Sequence, residues 1–557
     1  MTIPHLRRNG SRIQLIVDDR PYLALGGELF NSTSSDPRSF DPVFADLSAA
    51  GVGTVIGTVS WDQVENVEGS FDFAVLDELL TTARANSVRL VLIWFGAFKN
   101  AASTYAPRWV RADRQRFPRA VVRPGERRGF TYVGATPKPV LSVFSPELRA
   151  ADRTAYCAML AHLRDNDPQH TVVLIQVENE TGLLGDSRDR SVIADSAWHS
   201  EVPPALAEAV RSGPILGDGT PLSIRTSTGS GGGTWNDFLV DDPTTDEAFM
   251  AWGFASYVGD LAAAGKEIHP LPTYVNAWLG PQPGQERPGQ YPSGGPTARM
   301  RNIWRLAAPA IDILSPDIYI DDVADVLAAY TTDDNPLFVP EAKLNAGNLF
   351  SAIGSHAAIG YCAFGIDEAR ADSQFVTALR LIGAASDVIT AAQANDRIRG
   401  VLIDGDSDEL NLTLGELTIT ARHGARLLRR MLLDAGVELP VFSDTVVNER
   451  KPAAHRFDPS DHRPFGIIIS TGDDELLLIG KGFAVDFTVS GGVVEIDEVV
   501  EQRLVDGRFI DGRVLNGDER LEILPLDSIG AARVRLLRAT HDESTLKPGV
   551  GDSQLVS

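Results

Sequence analysis

The run Thr171-Val-Val-Leu-Ile-Gln-Val-Glu-Asn-Glu180 constrains this chain more than any other. It is mostly apolar, rich in β-branched residues, and leads straight into Glu178, Asn179 and Glu180. Such a run reads as a strand buried on both faces, the hallmark of a parallel sheet covered by helices. Acids at its end are costly unless partnered or used, because a buried charge needs compensation. The C-terminal end of a parallel barrel strand is also where (β/α)₈ enzymes carry their chemistry. The pattern returns at Pro336-Leu-Phe-Val-Pro-Glu341. At roughly 30 or more residues per βα unit, three units fit between the two acids. Carboxylates on strands three units apart face each other across a barrel mouth. Glycoside hydrolysis needs that arrangement: one acid protonates the leaving oxygen, and the other attacks the anomeric carbon or activates a water.

Strand and helix signals alternate along the first two thirds of the chain. Residues 12–17 and 21–26 read as a hairpin around Asp18-Asp19-Arg20, its second arm leading into Gly26-Gly27-Glu28. Further strands are predicted at 53–59, 88–94, 171–177, 273–277, 311–314, 337–339 and 360–364. Helices are predicted at 76–85, 145–164, 244–264, 297–308, 322–330 and 373–394. Ser145 followed by Pro146 opens the second of these as N-cap and first helical residue. Eight βα units with acids at strand ends predict an α/β fold, a closed (β/α)₈ TIM barrel over residues 1–395. An open doubly wound sheet would show a glycine-rich phosphate turn after its first strand, and none follows. Two connections, 96–144 and 181–243, are long and lie on the acid-bearing side, so both are expected to shape the pocket. Gly229-Ser-Gly-Gly-Gly-Thr-Trp235 reads as a flexible tip. From 396 to 557, short strand-like runs punctuated by Gly, Asp and Asn predict a C-terminal β-sandwich with an accessory role, interrupted by one helix at 427–435.

Charge bounds the partners. The chain has 557 residues, with 51 Lys and Arg against 75 Asp and Glu, a net charge of −24. That argues against nucleic acid and against anionic membrane surfaces, both of which require a basic face. The histidines are scattered, with no His-x-x-x-His or His-x-His spacing beside the acids, and no Gly-x-Ser-x-Gly elbow occurs, so neither a metal, a cofactor nor a nucleophilic serine is expected. Cys157 and Cys362 lie in apolar stretches and read as small buried hydrophobes. The first eight residues lack the apolar core of a signal peptide, and no run of 18 apolar residues exists. The expectation is a cytoplasmic protein whose partner is an oligosaccharide or β-glycoside substrate, with homo-oligomerisation left open.

Roles follow from position. Glu180 is the candidate general acid and then base, its proton held by burial and a neighbouring negative charge. Glu341 is the candidate nucleophile. Asn179 is placed to bond the sugar 2-hydroxyl, a contact that strengthens in the transition state. Glu178 would point to the opposite face of a regular strand, as a structural group paired with an arginine. Aromatic residues stand near other strand ends: Trp61, Trp94, Trp278 beyond Asn276, Tyr319 and Phe364. Singly each reads as core packing; together around one rim they suit the apolar faces of a sugar. Glu65, Lys99 and Asn100 are polar candidates at the same rim, or solvated loop residues.

With these residues in place, the chain resembles glycoside hydrolase family 35, within the clan of (β/α)₈ retaining enzymes. Gln176-Val-Glu-Asn-Glu180 is similar to that family's acid/base motif. Val59-Ser-Trp-Asp62, with Glu65, Gly69 and Phe71-Asp-Phe73, resembles its second-strand stretch. Gly27-Glu28-Leu29 resembles its early Gly-Glu-Ile segment and brings Glu28 among the sugar-contacting candidates. The resemblance spans roughly residues 15–370 and implies a retaining β-galactosidase with Glu180 as acid/base and Glu341 as nucleophile. The chain departs from the family at Pro340-Glu-Ala-Lys343, at Thr181-Gly182 and at Trp94-Phe-Gly-Ala-Phe-Lys-Asn100. The expected activity is a retaining exo-β-glycosidase, a β-galactosidase first. The alternatives are a transglycosylase or β-glucosidase on the same machinery, and an inactive carbohydrate-binding barrel.

Overall fold

The apolar runs assemble into one parallel sheet that closes on itself. Its strands are β1 (Ala24–Glu28), β2 (Thr54–Ser60), β3 (Arg89–Lys99), β4 (Val172–Asn179), β5 (Thr273–Trp278), β6 (Ile313–Ile318), β7 (in two pieces, Phe338–Val339 and Glu341–Ala342) and β8 (Gly360–Phe364). Pro340 divides β7 because it has no N–H to give to the ladder. The first piece pairs with β8 and the second with β6, so one broken strand joins the two ends of the sheet. The expected eight-stranded barrel is present, followed by a C-terminal antiparallel domain. The computed structural model describes residues 2–123, 140–225, 233–405, 407–437 and 461–540. Positions 229–232 of the glycine-rich tip and 124–139 of the first long connection lie outside the described residues.

The predicted N-terminal hairpin is divided differently. Arg20–Tyr22 pairs back on Arg12–Val17, which also pairs with His5–Asn9, while Ala24 onward turns into the barrel as β1. Gly26 permits that turn: a Cβ there would stand 1.7 Å from the Thr54 carbonyl oxygen on β2. Leu15 and Val17 of the hairpin join Ile56, Val91, Ile93, Phe95 and Phe338 in the apolar filling of the barrel. Each such side chain contributes about 1.5–3 kcal/mol when fully buried.

Strands β3 and β4 carry the irregularities that shape the mouth. β3 runs past its predicted end to Lys99, and its pairing with β4 slips between Trp94 and Lys99. Glu178 and Glu180 both have left-handed backbones, φ 63° and 44°, so simple alternation fails there. Glu178 meets Asp152 of the helix Pro146–Asn166 rather than the expected arginine. Its carboxyl accepts from the Ala97 and Phe98 N–H groups at 3.0 and 2.7 Å. Asp152 accepts from Trp94 Nε1 and the Tyr257 hydroxyl, both at 2.8 Å, and from Ala97 N–H at 3.0 Å. The two carboxyls are hydrogen-bonded to each other, and burial holds both above the usual carboxylate range. Such a contact needs a proton between them. Gly96 leaves room for it, since a Cβ there would lie 2.6 Å from an oxygen of each acid.

The second long connection is described at 181–225 and 233–243. It forms the helices Val192–Trp198, Pro204–Ser212 and Trp235–Phe238, and Trp198 and Trp235 pack on Phe249 of the helix Pro243–Ile268. Arg190 pairs with Asp246 at 2.6 Å. No single helix among the described residues is long and apolar enough to cross a membrane.

The chain divides into two compact units, Met1–Ala394 with Asn448–Asp461, and Asn395–Val447 with His462–Ser557. The second unit has a six-stranded antiparallel sheet and a three-stranded one sharing an apolar core around Ile419, Phe487, Leu478 and Val534. The run at 410–420 is two strands, Glu409–Leu414 and Leu417–His423, turning at Gly415 (φ 61°).

Asp152→Ala should cost about 3 kcal/mol or more in chemical denaturation, because it leaves buried indole, hydroxyl and amide donors without an acceptor. A loss below about 1 kcal/mol would contradict the role of this pair in holding β3 and β4.

Candidate active site

Ladder register brings specific side chains to the barrel mouth. Trp278, Asp317 and Glu341 are in-register neighbours on β5, β6 and β7. Lys99 is level with Asn179 on β3 and β4, and Phe364 is level with Glu28 on β8 and β1. A cavity of about 770 Å³ opens there, and its lining includes Lys99, Asn100, Glu180, Trp278, Asp317, Tyr319, Glu341 and Phe364. Glu180 and Glu341 therefore look into one space.

Glu180 is held from several sides. Asn100 Nδ2 donates to its Oε2 at 2.6 Å, and its own N–H donates to Asn276 Oδ1 at 2.9 Å. Its carboxyl is also hydrogen-bonded to that of Asp317. Burial, then the charge of Glu341, pushes its pKa up to about 8, against the opposing pull of the Lys99 ammonium. The Tyr319 hydroxyl donates to Glu341 Oε1. Burial and the nearby Glu341 raise the Tyr319 phenol above its ordinary range, so it remains a donor at physiological pH.

The amides between them form a scaffold. Asn179 accepts at Oδ1 from Gln176 Nε2 at 2.9 Å and Asn276 Nδ2 at 3.2 Å, and donates to Asn100 Oδ1 at 3.4 Å. Its carbonyl oxygen and one amide hydrogen are thus occupied, and the buried side chain supports the acid rather than lining the cavity. Asn276 Nδ2 also donates to Asp317 Oδ2 at 2.8 Å. Glu28 is fully buried, its oxygens take no hydrogen bond from protein donors, and burial together with Glu341 raises its pKa strongly.

Three rim candidates belong to the wall instead. Trp61 is fully buried, donates to Glu65 Oε2 at 2.7 Å and packs edge-on against Trp109. Glu65 also accepts from the Gly69 N–H at 2.7 Å, so it shapes the turn after β2. Trp94 is fully buried and committed to Asp152. Their side chains do not line the cavity, because the strand ends there turn into helix or slip in register. Asp317, Tyr105, Gln282 and Gln285 line it without having been singled out in the sequence, and Asp62, quoted there only within a motif, lines it too. Of the two long connections, 96–144 contributes lining residues while the segment after β5 takes the place foreseen for 181–243. Among the described residues, no group of three or more His, Cys, Asp or Glu stands as a metal site.

Comparison with known proteins gives two family matches. Residues 33–200 match the glycoside hydrolase 42 model, described as Beta-galactosidase, and residues 375–524 match a domain of unknown function, DUF5597. The first match carries Asn179 and Glu180 and marks the barrel as that of a clan A glycoside hydrolase; it is not a match to family 35. No curated protein matches the chain. Among solved structures, the β-galactosidase of the psychrophilic Marinomonas ef1 aligns at 12% identity and TM-score 0.43, over 67% of this chain and 61% of that one. The endo-1,4-β-mannanase of Rhizomucor miehei aligns at 12% identity and TM-score 0.38, over 65% of this chain and 90% of that one. The chain thus spans 61% of the Marinomonas enzyme's length.

Lys99→Met should raise the titration of the Glu180 carboxyl above about 8, because the ammonium favours the ionised form. Carbon-13 NMR of the carboxyl groups measures it; an unchanged or lowered value would contradict the assignment of Lys99 as the balancing charge.

Proposed function

We propose that the chain is a retaining exo-β-glycosidase acting on terminal β-galactosides, with Glu180 as acid/base and Glu341 as nucleophile. The observation that carries this reading is that Glu180 and Glu341 line one cavity, with Glu180 buried beside the Glu341 charge so that it holds its proton. A general acid works best with its pKa near the operating pH, and a nucleophile must be free of that proton. In the first step Glu341 bonds to the anomeric carbon while Glu180 passes its proton to the departing glycosidic oxygen. In the second, Glu180 takes a proton from water, the water oxygen bonds to the anomeric carbon, and Glu341 leaves. The Tyr319 hydroxyl orients the attacking oxygen and stabilises it as it departs. Half-buried Trp278 and Phe364 offer apolar faces to sugar rings.

Double displacement draws on the resemblance of Gln176–Glu180 to the acid/base motif of a retaining family. A retaining pair stands ~5–5.5 Å apart and an inverting one ~6.5–9.5 Å. The β-galactoside preference draws on the description of the matching family and on the motif Gln176–Glu180.

A panel of p-nitrophenyl β-glycosides tests the reading. Release from the β-galactoside should fall by more than about 10³-fold in Glu341→Gln, the scale of losing a nucleophile. Near-normal release in that variant would overturn the mechanism, and release from another glycoside alone would overturn the sugar assignment. The rate kcat/KM should fall as pH rises through about 8, because only protonated Glu180 can donate. That alkaline limb should vanish in Glu180→Gln with an activated leaving group.

A further inference from the structure

The Asp317 carboxyl has no ordinary donor for one of its oxygens. Oδ2 accepts from Asn276 Nδ2, but Oδ1 is buried and takes no bond from any N–H or hydroxyl. The residue is only 2% exposed, and that oxygen is itself buried. The group it is bonded to is Glu180. Two ionised carboxylates would repel at that range, whereas a single proton between them makes a strong charge-assisted bond. Asn276 fixes the pair, since it accepts from the Glu180 backbone N–H and donates to Asp317.

We propose that Asp317 is a positioning residue that keeps its own proton and holds it toward Glu180, aiming the acid at the glycosidic oxygen and supporting its charge once the Glu180 proton has gone. The inference rests on the acid/base role proposed for Glu180. When Glu180 gives its proton to the leaving group, it becomes a carboxylate. Protonated Asp317 then donates a hydrogen bond to it, without being consumed. When Glu180 later takes a proton from water, the pair returns to its starting state. The other groups facing it are Glu341 on β7, Lys99 and Asn100 at the end of β3, and, against Asp317, Glu28 on β1. Glu341 and Glu28 oppose ionisation, and Lys99 favours it. Among these ionisable groups, Asp317 is set apart by direct hydrogen bonding to the acid. The strong upward displacement of its own titration, from burial and then from Glu341 and Glu180, agrees with a carboxyl that stays protonated.

The test is carbon-13 NMR titration of the carboxyl groups in wild type, Asp317→Asn and Glu180→Gln. The titration is paired with the pH profile of aryl β-galactoside hydrolysis for wild type and Asp317→Asn. In D317N the amide oxygen still accepts from Asn276 and the amide nitrogen donates permanently to Glu180. Glu180 should then titrate higher by about one unit or more, because an amide donates to a carboxylate more weakly than a carboxylic acid does, one unit being the scale at which two acids count as interacting. The alkaline limb of kcat/KM should move up by the same amount. Reciprocally, Asp317 should titrate lower in E180Q, and this arm stands even if D317N fails to fold. Titrations unchanged in both variants, with only thermal stability altered, would overturn the proposal and leave Asp317 a packing residue. If wild type hydrolyses no β-glycoside, the proposed activity fails, while the two titrations still decide whether Asp317 holds its proton toward Glu180.

Discussion

Four carboxyl groups and one ammonium group share the mouth of this barrel. Glu28, Glu180, Asp317, Glu341 and Lys99 are each at most 9% exposed, and the Lys99 charge acts on Glu28 and Glu180. At an effective dielectric constant of 20, two charges 4 Å apart interact by about 4 kcal/mol, several times the net worth of a typical hydrogen bond. Such a cluster does not ionise fully, and protons stay on the members that gain least from losing them. A group that gives up a proton near neutral pH arises from this crowding rather than from any one residue. Glu180, facing both Lys99 and Glu341, is where the opposing influences come closest to balance.

Crowding of this kind has to be imposed by the backbone. The left-handed turn at Glu180 (φ 44°) sends its side chain into the cavity, and its N–H is tied to Asn276 on the neighbouring strand. Pro340 breaks β7 just before Glu341, so the nucleophile candidate begins the piece that pairs with Asp317. Behind these acids, Asp152 and Glu178 meet the same difficulty with the same remedy, a shared proton, plus three bonds from backbone N–H groups and two from Trp94 and Tyr257. That inner pair fixes the stretch of β3 that carries Lys99 and Asn100 to the rim.

Much of this is legible in the sequence where period and punctuation agree. The strands ending at Glu180 and Glu341 stand out because apolar runs are cut by single acids, and the Ser145-Pro146 helix start is realised, with Ser145 accepting from Leu148 N–H. Asp317 escapes notice because the strand signal at 311–314 is followed by Ser315 and Pro316, which read as its end. In the barrel β6 continues to Ile318, since Pro316 needs no ladder donor at its position. Trp61, Trp94 and Glu65 are misplaced in a rim reading for a different reason. Alternation along a strand cannot reveal a register slip or a strand turning directly into helix. Both happen here, and both rotate these side chains into the wall. Glu178 fails similarly: a left-handed residue cancels the simple rule of opposite faces.

Mass spectrometry of the intact protein after incubation with an activated 2-deoxy-2-fluoro-β-galactoside tests the double displacement most directly. Fluorine at C2 disfavours the positive charge that develops at the anomeric carbon, so a glycosyl-enzyme, once formed, persists. The expected result is the added mass of one fluorosugar, carried by the peptide containing Glu341 and absent from Glu341→Gln. Turnover of ordinary β-galactosides with no trapped adduct and inverted product, or an adduct on another carboxyl, would contradict it.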